Sequence, residues 1–337
     1  MTLATTLIAT PKADLHVHLE GTVDFATLRK LAKKNNVALA KPTYLEIKGG
    51  YGPIPPPNLV NRYPQTFSFE QFIAIYLKIS ESIKSAEDVM AIAHNYILSS
   101  QEQGIAYSEI YFTPTTFEAL GADLVSLIGG LVAAQEAAKL ANITFKWIFD
   151  IVRNADTSRG ERTLELANYA KDIGLDVIAI GLAGYESHNS TRPFAEAFSR
   201  AQKLGFKTIV HAGETAGASA VKEALEILRP DRIAHAISIF EDKALVDELI
   251  ETQIPIEVCP WSNISLGLAD TASHPLARML EMGLNVLIGS DDPGIFDKSL
   301  IENYLLAGSL GVSEQDLIAL AANSLSILNK TPPSRNS

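Results

Sequence analysis

ADLHVHL (13–19) is a short apolar run carrying two histidines at spacing two. Side chains two apart on a strand share a face. A strand here therefore presents His16 and His18 to one point. Seven further runs have the same character: IAYSEIYF (105–112), TFKWIFDI (144–151), DVIAIGLAG (176–184), FKTIVHAG (206–213), DRIAHA (231–236), IPIEVCP (254–260) and NVLIGSD (285–291). Each is rich in Val, Ile or aromatic residues, as expected of strands buried on both faces. Between them ERTLELANYAKDIG (161–174), AVKEALEILRP (220–230) and KALVDELIETQ (243–253) place apolar residues at helical spacing. Pro193 and Pro275 stand where a first helical turn would begin. Strands alternating with helices imply parallel βαβ units. Eight such units close most simply into a (β/α)8 TIM barrel. An open doubly wound sheet is the alternative, but no GxGxxG follows the first strand.

The chain has 337 residues, 47% hydrophobic and 20% charged, enough to bury a large core as one unit. Its formal net charge of −11 argues against a nucleic-acid surface, which needs clustered Lys and Arg. A small base or nucleoside is not excluded by that charge. Cys259 is the sole cysteine, so no intrachain disulfide forms and a reducing, cytoplasmic setting is expected. The N-terminal MTLATTLIATPK lacks the basic and apolar regions of a signal peptide, and no apolar stretch has the length of a membrane span.

One region breaks the alternation. Residues 41–66, KPTYLEIKGGYGPIPPPNLVNRYPQT, are dense in Pro and Gly and follow the first strand. Barrels keep their active sites at that end, so the segment reads as a lid over a ligand, or as a plain surface excursion. Two long helical patterns follow, over 67–83 and 86–103.

The polar residues at the strand ends carry the chemistry. His16 and His18 lie on strand one, His211 ends strand five, His235 lies near the end of strand six, and Asp291 and Asp292 end strand eight. Four of the seven histidines thus fall in one expected ring. An HxH pair, a distant histidine and an aspartate suit a borderline metal ion such as Zn²⁺. His94 and His274 read as structural, and His188 as a loop residue. Glu214 follows His211 in HAGE, where Gly213 permits a sharp turn. A carboxylate beside a metal but not needed as a ligand is a natural proton shuttle; the plainer alternative is an ordinary helix N-terminal glutamate.

HVHLEG (16–21), LAGYE (182–186), HAGE (211–214), RIAHA (232–236), EVCPWSN (257–263) and SDDPGIF (290–296) together resemble the adenosine deaminase family of metal-dependent amidohydrolases. They fall in the family's order from about residue 10 to 327. The resemblance implies a single deaminase barrel domain over 1–337, with one zinc ion held by His16, His18, His211 and Asp291. It implies Glu214 as the acid that protonates purine N1, and His235 as the group that orients the attacking hydroxide. For the substrate it implies Asp292 at N7, the Gly184 N–H at N3, and His18 and Glu20 in the same pocket.

Three features depart from the adenosine-specific pattern. Glu20 stands where aspartate is usual, and HLEG resembles adenine and aminodeoxyfutalosine deaminases. Ala236 follows His235 where glycine is usual. The 41–66 segment has no match, and it covers the expected ribose end. Yet HAGETAGASAVKEAL resembles the adenosine enzymes. The expected reaction is hydrolytic deamination of adenosine or deoxyadenosine. The alternatives are adenine or a modified adenine nucleoside such as aminodeoxyfutalosine and, more remotely, a non-catalytic purine-binding protein. Strand four lacks the lysine that bridges two metals in binuclear relatives, so an amide or phosphoester hydrolase with two metals is disfavoured. The expected partners are a small aminopurine and water, with no nucleic acid and no membrane.

Overall fold

A computed structural model describes residues 2–39, 68–186 and 190–326. The 41–66 segment and His188 lie outside the described residues. All eight expected runs form strands: β1 (Lys12–His18), β2 (Ile105–Phe112), β3 (Thr144–Val152), β4 (Val177–Ala183), β5 (Lys207–Ala212), β6 (Arg232–His235), β7 (Ile256–Val258) and β8 (Val286–Ile288). They pair in parallel in sequence order.

Closure between β8 and β1 is made by the chain just beyond β8. The Ser290 and Asp291 N–H groups donate to His16 O at 3.1 and 2.8 Å, and His18 N–H donates to Asp291 O at 2.9 Å. Asp291 therefore does not end strand eight, as its position in NVLIGSD implied. It sits three residues past β8, bridged to Val17. The reason lies at Gly289, where a Cβ would stand 2.6 Å from His16 Cβ. Only a residue without a side chain lets the backbone pass this close to β1. The run 254–260 likewise shortens to three residues, flanked by Pro255 and Pro260, which have no N–H to give a ladder.

Alternation along the strands sorts the side chains. On β3, Trp147 and Phe149 join the large apolar core between strands and helices. Ile148 instead packs with Tyr111, Ala179 and Ile209 in a small cluster of its own. Helix Phe69–Ser82 starts at a capping box, with Ser68 and Gln71 each accepting from the other's backbone N–H. It buries Phe72, Ile75 and Ile79 and brings Phe72 and Tyr76 over the mouth of the barrel. Among the described residues no helix is long and apolar enough to cross a membrane.

Candidate active site

β1 delivers His16 and His18 with ring centroids 5.3 Å apart. β5 places His211 4.9 Å from His16 and 5.4 Å from His18 by the same measure. Asp291 Oδ1 lies 3.5 Å from Nε2 of both His16 and His18. His235 joins this group from β6, with Nε2 4.0 Å from Asp291 Oδ2. All five residues are buried.

The outer nitrogens show which atoms are free to ligate. His16 Nδ1 donates to Glu257 Oε2 at 2.7 Å, and His211 Nδ1 faces the Leu182 carbonyl at 3.2 Å. Among the described residues their buried Nε2 atoms have no hydrogen-bond partner. Burial on that scale is costly unless the atom is satisfied by something else. Ligand atoms of His16, His211 and His235 lie within 4.8 Å of one another, and so do those of Glu214, His235 and Asp291. This donor set fits a divalent cation. Burial pushes His18 down to about 3 and His235 to about 4, and it carries His211 well below its ordinary value. Those three are therefore neutral imidazoles, the form that binds metal. Burial would also lower His16, but the Asp291 and Glu257 carboxylates facing its two nitrogens outweigh it and raise His16 to about 10.

Three carboxyls complete the ring. Glu214 Oε1 lies 3.6 Å from His235 Nδ1. Burial, then the charges of Asp291 and Glu186, hold Glu214 well above the usual carboxylate range. Asp292 is raised for the same two reasons, burial and the Asp291 charge. Asp291 is held well below, because the neighbouring His16, the one histidine held toward its charged form, overcomes burial. Two adjacent aspartates are thus pushed in opposite directions, which separates ligand from proton donor.

Local backbone explains several motif letters. Gly213 has φ +74, and a Cβ there would meet Val221 Cγ2 at 2.4 Å. The turn that follows is clamped by Glu186, which accepts from the N–H groups of Gly213, Glu214 and Thr215 at 2.7–2.8 Å. His235, Ala236 and Asp291 have φ of +67, +51 and +62. Left-handed backbone costs a non-glycine residue roughly 1–3 kcal/mol, so Ala236 occupies a conformation that glycine adopts freely. Gly21 leaves the space that Asp292 fills, since a Cβ there would lie 2.0 Å from Asp292 Oδ1.

A cavity of about 590 Å³ opens from this ring. His18, His211, Glu214, His235, Asp291 and Asp292 line its inner end, with Gly184 beside them. Phe69, Ile73, Leu77, Leu120 and Val152 wall its outer part, with Asn154 and Arg159. Glu20 is fully buried but is not on this wall; its Oε1 accepts from Thr113 Oγ1 at 2.8 Å, and Thr113 faces the cavity. His94 is exposed on a helix. His274 is buried, with Nε2 3.3 Å from Asn263 Oδ1, and Asn263 Nδ2 is 3.4 Å from His235 Nδ1. Asn263, Glu186, Glu257 and Asp150 are thus parts of the site that strand-end reasoning did not single out. The first three stood in recognised motifs, whereas Asp150 lay in TFKWIFDI with no motif signal.

The adenosine deaminase family model matches residues 11–329. The chain belongs to the adenosine deaminase family. A protein of Bordetella parapertussis named adenine deaminase is 32% identical over 322 residues, covering 95% of this chain and 96% of its own. The crystal structure of an adenine deaminase from Arthrobacter aurescens superposes with TM-score 0.75 at 25% identity, over 95% of this chain and all of that one. An amidohydrolase from Burkholderia ambifaria, solved with bound Zn, shares the fold at TM-score 0.82 and 22% identity, over 97% and 88% of the two chains. As a member of the adenosine deaminase family, this barrel is a hydrolytic deaminase that acts on an aminopurine.

Proposed function

We propose that the chain, as a single barrel domain, hydrolyses the 6-amino group of adenine, giving hypoxanthine and ammonia. The supporting observation is the match between donors and acceptors. A purine ring offers N1, N3 and N7 as acceptors. Glu214 and Asp292, both pushed toward the protonated form, are O–H donors at the cavity's inner end. The Gly184 N–H is the third, matched to N3 by the family motif LAGYE.

His16, His18, His211 and Asp291 would hold one zinc ion, which when bound supplies Lewis acidity and lowers the pKa of a water to about 7. His235, steadied by Asn263, orients the attacking water toward C6. Asp291 accepts the proton that water releases. Glu214 gives its proton to N1 as the C6–O bond forms, so charge does not build on the ring. Asp291 passes the water's proton to the amino group, the C6–N bond breaks and ammonia leaves, and the C6 hydroxyl returns its proton to Glu214 as the C6=O bond forms.

A second reading keeps the chemistry and enlarges the substrate to adenosine, deoxyadenosine or another N9-substituted adenine. The cavity favours it, because about 590 Å³ reaching Leu120 and Arg159 exceeds what the base alone fills. Ammonia release from adenine, adenosine, deoxyadenosine and aminodeoxyfutalosine, and methylamine release from N6-methyl-AMP, decides between them. Adenine is expected to give the highest kcat/KM. Turnover confined to nucleosides would replace the first reading with the second, and turnover of none would retire both.

A further inference from the structure

The two histidines of β1 are supported unequally. His16 Nδ1 is closed onto Glu257 at 2.7 Å, and Tyr111 Oη donates to the same carboxylate at 2.9 Å. Among the described residues, His18 Nδ1 is buried without a hydrogen-bond partner. The carboxylate facing it is Asp150, whose Oδ2 stands 3.9 Å away. Asp150 is fully buried on β3, lines the cavity, and among the described residues has no hydrogen-bond partner for either oxygen. A ring nitrogen and a carboxyl, both without partners among the described residues, thus face each other about 1 Å beyond hydrogen-bond length.

The next strand makes room for this carboxylate. Asp150 pairs in register with Gly181 on β4. Paired residues of parallel strands point to the same face. A Cβ on Gly181 would lie 1.8 Å from Asp150 Oδ1. Any side chain at 181 would evict the Asp150 carboxylate from its place beside His18.

We propose that Asp150 is the positioning residue of His18. It accepts a hydrogen bond from His18 Nδ1–H, which fixes the tautomer whose Nε2 lone pair faces the metal, and Gly181 is the space that permits it. Outer carboxylates of this kind orient metal-bound histidines and raise their basicity. The inference rests on the zinc site proposed above.

The test is zinc affinity, measured by chelator competition on wild type, Asp150→Ala and Gly181→Ala, with melting of the metal-free proteins alongside. Wild type is titrated first; failure to bind zinc would remove the metal site and this role with it. Given a wild-type site, both variants are expected to bind zinc about 10–100-fold more weakly. Metal-free Asp150→Ala is expected to melt no lower than wild type, since it loses only an unpartnered carboxylate. Cobalt-loaded wild type and variant are expected to differ in their visible absorption. Unchanged zinc affinity in Asp150→Ala, with KM for the aminopurine raised instead, would overturn the proposal and make Asp150 a substrate contact. Gly181→Ala gives an independent reading, because it displaces the carboxylate without removing it.

Discussion

The inner and outer ends of the cavity are built by different means. At the inner end polar groups converge from β1, β5, β6 and the chain beyond β8, and outer carboxylates such as Glu257 hold them. Three of the residues there, His235, Ala236 and Asp291, carry left-handed backbone. Such strain persists only where the surroundings over-determine it. The outer end is a wall of ordinary helix and loop, with Phe69, Ile73 and Leu77 from one helix and Leu120 opposite. Nothing there demands one residue at one place. The inner end is thus held by specific polar contacts and strained backbone, the outer end by apolar packing.

The largest expected effect falls at the inner end. Glu214→Gln keeps the shape but has no proton for N1, so kcat should drop about 10²–10⁴-fold while the metal stays bound. Near-normal turnover in that variant, or loss of metal with turnover, would remove Glu214 as the proton donor. His16→Ala should abolish stoichiometric zinc and lower the melting temperature, because metal binding couples to folding. A full metal complement in that variant would take His16 out of the site.

A smaller effect is expected at the outer end. Phe69→Ala removes part of the wall and touches none of the converging groups. Under the adenine reading its kcat/KM on adenine should stay within about twofold. If the substrate is instead an N9-substituted adenine, the lost apolar contact should cost about 1–3 kcal/mol in kcat/KM on that substrate. Equal losses on base and nucleoside would break the division between the two ends.

The same division explains what could be read from the letters. The eight strands were legible because buried parallel strands must be short and apolar throughout, and the ring of His16, His18, His211 and His235 followed from strand ends. Asp291 was legible as a member of the ring but not in its position, because the departure of the backbone from β8 depends on a close approach at Gly289. Asp150 was hidden for a related reason. Whether its side chain points into the barrel or out to the helices is decided by register between β3 and β4, which no short motif records. The resemblance places Glu20 in the substrate pocket; the 3₁₀ turn Glu20–Thr22 buries it, with Oε1 accepting from Thr113 Oγ1, and Thr113 faces the cavity. The helices around 67–103 were expected as helices, but the residues they turn toward the cavity depend on packing.

The smallest expected effect concerns what holds the outer wall in place. Asp88, at the start of helix Ala86–Gln103, is 1% exposed and accepts from the N–H groups of Lys84 and Ser85, Asn35 Nδ2 and Lys34 Nζ. Asn35 Nδ2 also donates to Ser82 O, at the end of the helix that carries Phe69 and Tyr76. Burial would raise the Asp88 pKa, but the hydrogen bonds from Lys34, the Lys84 N–H and Asn35 overcome it and hold the carboxyl below its ordinary value. A folded-state pKa below the unfolded one adds stability above the unfolded value, near 4, and loses it as pH falls through the folded value. Asp88→Asn should therefore be less stable than wild type by about 1–3 kcal/mol at pH 7. The gap should narrow as the pH falls below about 4 and close only below the folded-state value, where wild type carries a neutral, isosteric acid. Urea unfolding of the metal-free proteins at pH 7 and pH 3 measures it. Zinc affinity at pH 7 should be unchanged, because the Asp88 contacts reach the outer wall and none of the converging histidines. A gap that persists undiminished at pH 3 would show that Asp88 acts through packing rather than charge, and a fall in zinc affinity would show that the two ends of the cavity are one mechanical unit.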